Sequence, residues 1–305
     1  MEPATEGTLP RRAGWFHTHV VPYILVTKPN SVWLLVFTAV GGMVAGGGAA
    51  KPWGWWALAL AAITAGCAGA NTLTCYIDRD MDAVMERTRR RPLPGGRIQP
   101  PERALAWGLF LAGLSLVLAW LLNPLAFLWM FLGLFDNVVV YSLWAKRRTC
   151  INIVLGSVSG GMPTLFGWSA ARGDIAWLPV LMGFLVVLWT PNHIWSLAIR
   201  YRGDYARAGV PMLPVVHSVR RSVAIIAAAQ ALTFATSLAL YQVGGLGPGY
   251  LWVALISGTV VMAGQLYLLL RPTPQNAWLM FKISSPHLFL LFLGVILDTL
   301  FRGAA

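Results

Sequence analysis

Apolar residues in this chain gather into stretches close to twenty residues long, separated by short polar or basic segments: 31–50, 54–77, 104–122, 125–144, 151–171, 177–199, 222–241, 250–270 and 286–300. At a rise of about 1.5 Å per residue, each approaches the length a helix needs to cross roughly 30 Å of hydrocarbon. The pattern therefore predicts an all-α integral membrane protein with nine transmembrane helices, the last the shortest. Leu, Ala, Gly and Trp recur in these stretches without strict alternation, and a barrel strand would need only about ten residues, so helices are preferred to strands. The expected organisation is an N-terminal tail over 1–30 and one transmembrane domain over 31–302, with polar loops at 78–103, 145–150, 200–221 and 271–285.

The cations give this array a direction. Of 23 Lys and Arg, 20 fall in the tail or in the segments that follow even-numbered spans, leaving Lys51, Arg172 and Arg302 for the opposite side. The positive-inside rule then puts the N-terminus and the long loops in the cytoplasm, with the protein in the cell's inner membrane. Composition agrees: 57% of residues are hydrophobic and 11% charged, with mean hydropathy +0.64. A soluble domain carries roughly 25% charged residues, so a soluble globular enzyme is excluded. The net charge of +12 would suggest nucleic acid elsewhere, but no span-free domain is left to carry a basic groove. Cys67, Cys75 and Cys150 form no metal or disulfide pattern. Arg11-Arg12 is read as part of a polar tail rather than an export signal.

Chemistry concentrates in two long loops. The first opens Asp78-Arg79-Asp80-Met81-Asp82 and runs on through Glu86-Arg87-Thr88 and Arg91-Pro92-Leu93-Pro94. If span two continues as helix, Asp78 and Asp82 stack one turn apart with Cβ atoms about 5–6 Å from each other, while Asp80 points elsewhere. Two stacked carboxylates repel unless a cation sits between them, and hard oxygen donors suit Mg²⁺ or Ca²⁺. Carboxylates at a membrane surface among arginines suggest a diphosphate, bound through metal on one side and guanidinium on the other. A solvated, orientation-setting loop is the plainer alternative, but ionised carboxylates at the membrane end of a loop are costly. The second loop supplies Asp204-Tyr205 and Arg207, and the end of span four adds Tyr141 with Lys146-Arg147-Arg148. By itself that basic cluster reads as a stop-transfer anchor. With the acids, it becomes a candidate diphosphate clamp. Asp136 lies about 15 Å down the same helix, near the membrane midplane, where it should face a cavity or pair locally with Asn137 or a tyrosine.

These motifs resemble the UbiA superfamily of intramembrane prenyltransferases. The sequences Tyr141…Lys146-Arg147-Arg148-Thr149, Leu188-Trp189-Thr190-Pro191 with His193, and Asp204-Tyr205 with Ala208-Gly209-Val210-Pro211-Met212-Leu213-Pro214 are similar, more narrowly, to its protoheme IX farnesyltransferase branch. The likeness runs from Thr27-Lys28-Pro29 to Pro214 in matching order. It implies a UbiA-type helix bundle whose central cavity opens to the cytoplasm. It further implies farnesyl diphosphate bound through Mg²⁺ on Asp78, Asp82 and Asp204, with Arg87, Arg91, Lys146, Arg147 and Arg148 on the diphosphate. His193 and Tyr141 would face haem b, the acceptor whose vinyl group gains a hydroxyfarnesyl chain. The product, haem O, would pass to a haem A synthase. Thr74 stands where the family's first motif has Asn, and Ala208 removes a second carboxylate expected of quinone-forming relatives. Two alternatives remain: a related enzyme with a quinone-precursor or sugar-phosphate acceptor, and a transporter. Transporters tend to place ionisable groups at the midplane, whereas here only Asp136 lies deep.

Overall fold

The computed structural model describes residues 14–302, and Arg11 and Arg12 lie outside that range. Among the described residues every regular element is helical. In chain order these are α1 (Trp15–His19), α2 (Val21–Val26), α3 (Pro29–Ala45), α4 (Trp53–Ile77), α5 (Arg79–Val84) and α6 (Glu102–Leu122). Next come α7 (Pro124–Phe135), which runs on as a π-helix over Asp136–Ala145, then α8 (Asn152–Gly156), α9 (Val158–Arg172) and α10 (Trp177–Arg200). The chain closes with α11 (Arg202–Arg207), α12 (Leu213–Val216), α13 (Val219–Val243), α14 (Pro248–Leu270) and α15 (Pro274–Arg302).

Local chemistry sets many of these boundaries. The Asn123 side chain accepts the Ala126 N–H at 2.8 Å and Pro124 occupies the first position of α7, so α6 turns into α7 without a loop. The Ser218 hydroxyl caps α13 in the same way. Gly173, at φ +76°, ends α9 in the left-handed conformation that glycine adopts freely.

Seven helices among the described residues are long and apolar enough to cross a membrane, and the bent pair α1–α2 with α3, angled at 49°, passes the same test only when its two parts are taken together. The expectation of nine spans differs in three places. The 151–171 stretch is interrupted at Ser157 into α8 and α9, where Gly156, Ser157 and Gly160 offer little side-chain packing to hold one straight helix. The expected tail is helical from Trp15, and its junction with α3 is Lys28 at φ +54°, a strained setting for a side chain. The expected loop at 271–285 is helix from Pro274, because Thr273 caps its first turn by accepting the Asn276 N–H at 3.2 Å. Pro286, read from the sequence as a helix start, sits inside α15 instead. The loops at 78–103 and 200–221 also carry short helices, and Arg220 and Arg221 belong to the first turn of α13.

The long helices pack in a closed circuit. α3 touches α4, α4 touches α6, and the sequence continues through α7, α9, α10, α13, α14 and α15, which returns to α3. Across this circuit α3 also lies on α9 and α10 on α15. The outer wall is plainly apolar: Leu109, Phe110, Val117, Trp120 and Leu121 of α6 are all exposed. In water such a surface would drive association, whereas in a bilayer it is the ordinary exterior.

The α3–α9 contact is backbone on backbone. A Cβ on Gly42 would meet the Thr164 carbonyl oxygen at 2.2 Å, and one on Gly167 would meet the Ala39 carbonyl oxygen at 2.1 Å. Close approach through small residues is how helices associate in lipid, where burial of apolar surface supplies no drive. Gly42→Ala or Gly167→Ala should therefore force the two helices apart and destabilise the bundle by about 1–3 kcal/mol. Thermal unfolding in detergent reads this as a clear drop in midpoint, whereas Gly54→Ala, with open space around its Cβ, should leave it unchanged.

Candidate active site

α4 and α5 are nearly continuous. Asp78 joins them at φ −90° and ψ 4°, and the Asp82 N–H reaches the Asp78 carbonyl at 2.8 Å, the bond expected of one helical turn. Both carboxylates face inward, at 2% and 5% exposure, whereas the Asp80 side chain is 61% exposed, as the spacing predicts. Asp80 takes two hydrogen bonds from Arg147, at 2.6 and 2.8 Å, which hold its carboxyl below the ordinary range. Arg147 also donates to the Ile77 carbonyl and so fastens the end of the π segment to the end of α4.

The inward acids are each matched by a cation. Asp78 forms an ion pair with Lys146, and both oxygens of Asp82 accept from Arg91 Nη1, at 3.0 and 2.8 Å. Asp204 pairs with Arg207 one helical turn on and accepts the Arg87 backbone N–H at 3.3 Å. Arg87 also lies over the Tyr201 ring and reaches the Tyr205 hydroxyl at 3.5 Å. The two long loops, 117 residues apart at this contact, thus close on one another at one end of the bundle. Burial would push the Lys146 ammonium toward its neutral form, but Tyr141 and Asp78 beside it outweigh that and raise its pKa. Arg91 is likewise raised, with Asp82 overcoming its burial.

Among the described residues no three His, Cys, Asp or Glu side chains stand close enough to share one metal ion. Asp78, Asp82 and Asp204 are the acids expected to hold a metal. Each has a positive side chain as its nearest partner. One observation still fits a hard cation: Asp78 Oδ1 is buried and accepts from no protein group. Of the expected clamp, Arg87, Arg91, Lys146 and Arg147 engage this charged rim, whereas Arg148 is exposed and makes no ion pair among the described residues. Arg207 was not among the expected residues, although its i, i+3 spacing from Asp204 is a legible signal.

Beneath the rim lies a cavity of about 330 Å³, enclosed by α3, α4, α7 and its π segment, α9, α10 and α15. Its lining is graded along the bundle. Its polar side chains, Asn30, Asn71, Asn137, Tyr141, Ser159, Thr190 and His193, come from the helix ends nearer the rim, together with Ile153 and Ile194, whereas Leu34, Ile63, Trp129, Met130, Leu134 and Phe166 line the far part. Tyr141 links the two levels, since Lys146 lies 5.4 Å from its ring centroid. His193 is held between Trp189 and Phe281, with centroids 4.5 and 4.3 Å away, and its Nδ1 pairs with Ser284 Oγ at 2.7 Å. Thr74 serves as a local tether, donating to the Asn71 carbonyl at 2.9 Å and accepting from Lys28 Nζ at 3.4 Å. Asp136 pairs with neither Asn137 nor a tyrosine: its Oδ2 accepts the Ser159 backbone N–H at 2.8 Å. That partner comes from another helix 23 residues away, which no local spacing could indicate.

Comparison with known proteins gives a consistent picture. The model of the UbiA prenyltransferase family matches residues 34–295. A protein named protoheme IX farnesyltransferase from Desulforudis audaxviator is 53% identical over 281 residues, covering 92% of this chain and 89% of its own. Among solved structures, one from a study of digeranylgeranylglyceryl phosphate synthase superposes with a TM-score of 0.75 at 19% identity, covering 92% of this chain and 98% of its own. A UbiA homologue from Archaeoglobus fulgidus, bound to DMAPP and Mg²⁺, superposes at 0.64 with 17% identity, covering 90% and 99%. At these identities the structures speak to the fold.

Proposed function

Because this chain belongs to the UbiA prenyltransferase family, we propose that its charged rim and graded cavity transfer a farnesyl group from farnesyl diphosphate to a vinyl group of haem b. The observation that carries this reading is the layering. A rim of paired acids and cations caps a largely apolar cavity whose polar side chains gather toward the rim, which matches an amphiphile with an anionic head and a hydrocarbon tail. The identity of the acceptor follows the Desulforudis relative's name.

In this reading Lys146, Arg91 and Arg87 bind the diphosphate and stabilise the charge that develops on it as the C–O bond breaks. Asp78, Asp82 and Asp204 hold those cations in place and would supply carboxylate oxygens to Mg²⁺, the ion present in the Archaeoglobus homologue's complex. When bound, a divalent cation neutralises diphosphate oxygens and favours their departure. The Tyr141 ring, beside Lys146, suits an allylic cation, while Trp129 and Phe166 line the part of the cavity open to the hydrocarbon tail. His193 and Tyr141, at the polar level of the same cavity, would face the haem. The protein is a multi-pass membrane protein, and by the positive-inside rule the rim faces the cytoplasm with the N-terminus on that side. A haem A synthase would then use the product.

The test is direct. Membranes containing the chain, supplied with haem b, farnesyl diphosphate and Mg²⁺, should yield a more hydrophobic haem heavier by the hydroxyfarnesyl group, and chelation of divalent ions should stop its formation. A different prenylated acceptor, with haem b unchanged, would replace this reading with that of a related prenyltransferase.

A further inference from the structure

Asp136 and Asn137 open the π segment, well away from the charged rim, and the reading above uses neither. Their surroundings form an ordered chain. Asp136 Oδ2 accepts the Ser159 N–H at 2.8 Å, near the start of α9. Ser159 Oγ donates to the Gly156 carbonyl at 2.7 Å and accepts from Asn137 Nδ2 at 3.3 Å. This arrangement fixes the Asn137 amide, which lines the cavity together with Ser159. The other amide atom, Oδ1, is buried and accepts from no protein group. Burial of an amide oxygen without a partner is unfavourable by about 1–3 kcal/mol in proteins, more where no water can reach it, so this atom favours a small O–H donor. π-helical segments are rare and concentrate at functional sites.

The level in the cavity is informative. Asn137 precedes Tyr141 by four residues along the same wall, and Tyr141 adjoins Lys146 at the rim. Nine residues, roughly two helical turns, separate Asn137 from Lys146, so the amide faces the part of the cavity below the diphosphate-holding groups, where the prenyl chain and the haem side chain would meet. The inference rests on the farnesyl-transfer reading, whose chemistry requires water. The C1–O bond of farnesyl diphosphate breaks with its electron pair leaving on the diphosphate. The terminal vinyl carbon of haem b bonds to C1, which leaves positive charge on the vinyl carbon attached to the macrocycle. A water oxygen bonds to that carbon, and its proton passes to the departed diphosphate. If no water is in place, the same cation loses a proton from the adjacent carbon and gives an alkene lighter by one water.

We propose that Asn137 holds, through Oδ1, the water that adds to the haem side chain, with Ser159 and Asp136 as positioning residues for its amide. The experiment compares products by mass spectrometry after turnover in H₂¹⁸O. The unaltered protein should give the hydroxylated product carrying ¹⁸O. Asn137→Leu should raise the ratio of alkene to hydroxylated product about tenfold, the effect of losing roughly one hydrogen bond. Ser159→Ala keeps the backbone bond to Asp136 but frees the Asn137 amide, and should shift the ratio in the same direction by less. An unchanged product ratio in Asn137→Leu overturns the proposal. So does loss of all product in both variants, because the cluster would then be holding the fold alone. Absence of any farnesylated haem from the unaltered protein overturns the farnesyl-transfer reading as well.

Discussion

Turnover in the Lys146→Ala variant is expected to fall by about two to three orders of magnitude, the usual effect of removing one group that stabilises developing negative charge. The loss has a second part. Lys146 is the ion-pair partner of Asp78, whose side chain is only 3% exposed. Removal of one member of a buried pair leaves the other charged and desolvated, at a cost of about 3–5 kcal/mol. Initial rates with farnesyl diphosphate and haem b, taken beside thermal unfolding in the same detergent, separate the two parts. Lys146→Arg should recover stability more fully than rate, because a planar guanidinium restores the charge but not the reach of an ammonium. Near-normal turnover in a folded Lys146→Ala protein would remove Lys146 from the diphosphate site.

Asp82→Ala carries the other large effect. The sequence places Asp82 at the membrane end of a loop. The structure instead buries it, with both oxygens on Arg91. The single variant should therefore lose metal-dependent turnover and also stability, since Arg91 is left without its counter-charge. Pairing it with Arg91→Ala distinguishes these roles: the double variant should regain part of the unfolding midpoint and none of the activity. If the double variant turns over, the carboxylate serves the ion pair alone.

How much of this was legible in the sequence depended on the range of the interactions. Period and length revealed the long helices, and i, i+4 spacing revealed that Asp78 and Asp82 share a face while Asp80 does not. Both are local properties. The pairing of Asp78 with Lys146 and the meeting of Arg87 with Asp204 span 68 and 117 residues, so only the chemistry of the motifs pointed to them, and the resemblance supplied the grouping. The resemblance implies a metal on three acids, and in the structure a basic side chain also lies against each one. Charges counted along a chain do not reveal which opposite charge each will meet. The start of α15 was missed because its first three turns, through Ser285, are amphipathic rather than apolar: Trp278 packs against Tyr201 and Phe281 against His193, while Gln275 and Lys282 keep the stretch polar on average. Hydropathy alone therefore read it as loop.

The π segment has a consequence for how this wall can change. In an α-helix each residue adds about 100° of rotation and 1.5 Å of length in fixed proportion. Between Asp136 and Ala145 that proportion is broken, and the Lys146 N–H reaches back five residues to the Tyr141 carbonyl. The segment acts as a phase shifter between two sections of one rod. Met130 and Leu134 below it and Lys146 above it face inward on different angular settings. Loss or gain of one residue here is thus a rotation of the rim over the apolar floor rather than a change of span, and the chain could re-aim its cationic head group without rebuilding the hydrocarbon pocket beneath.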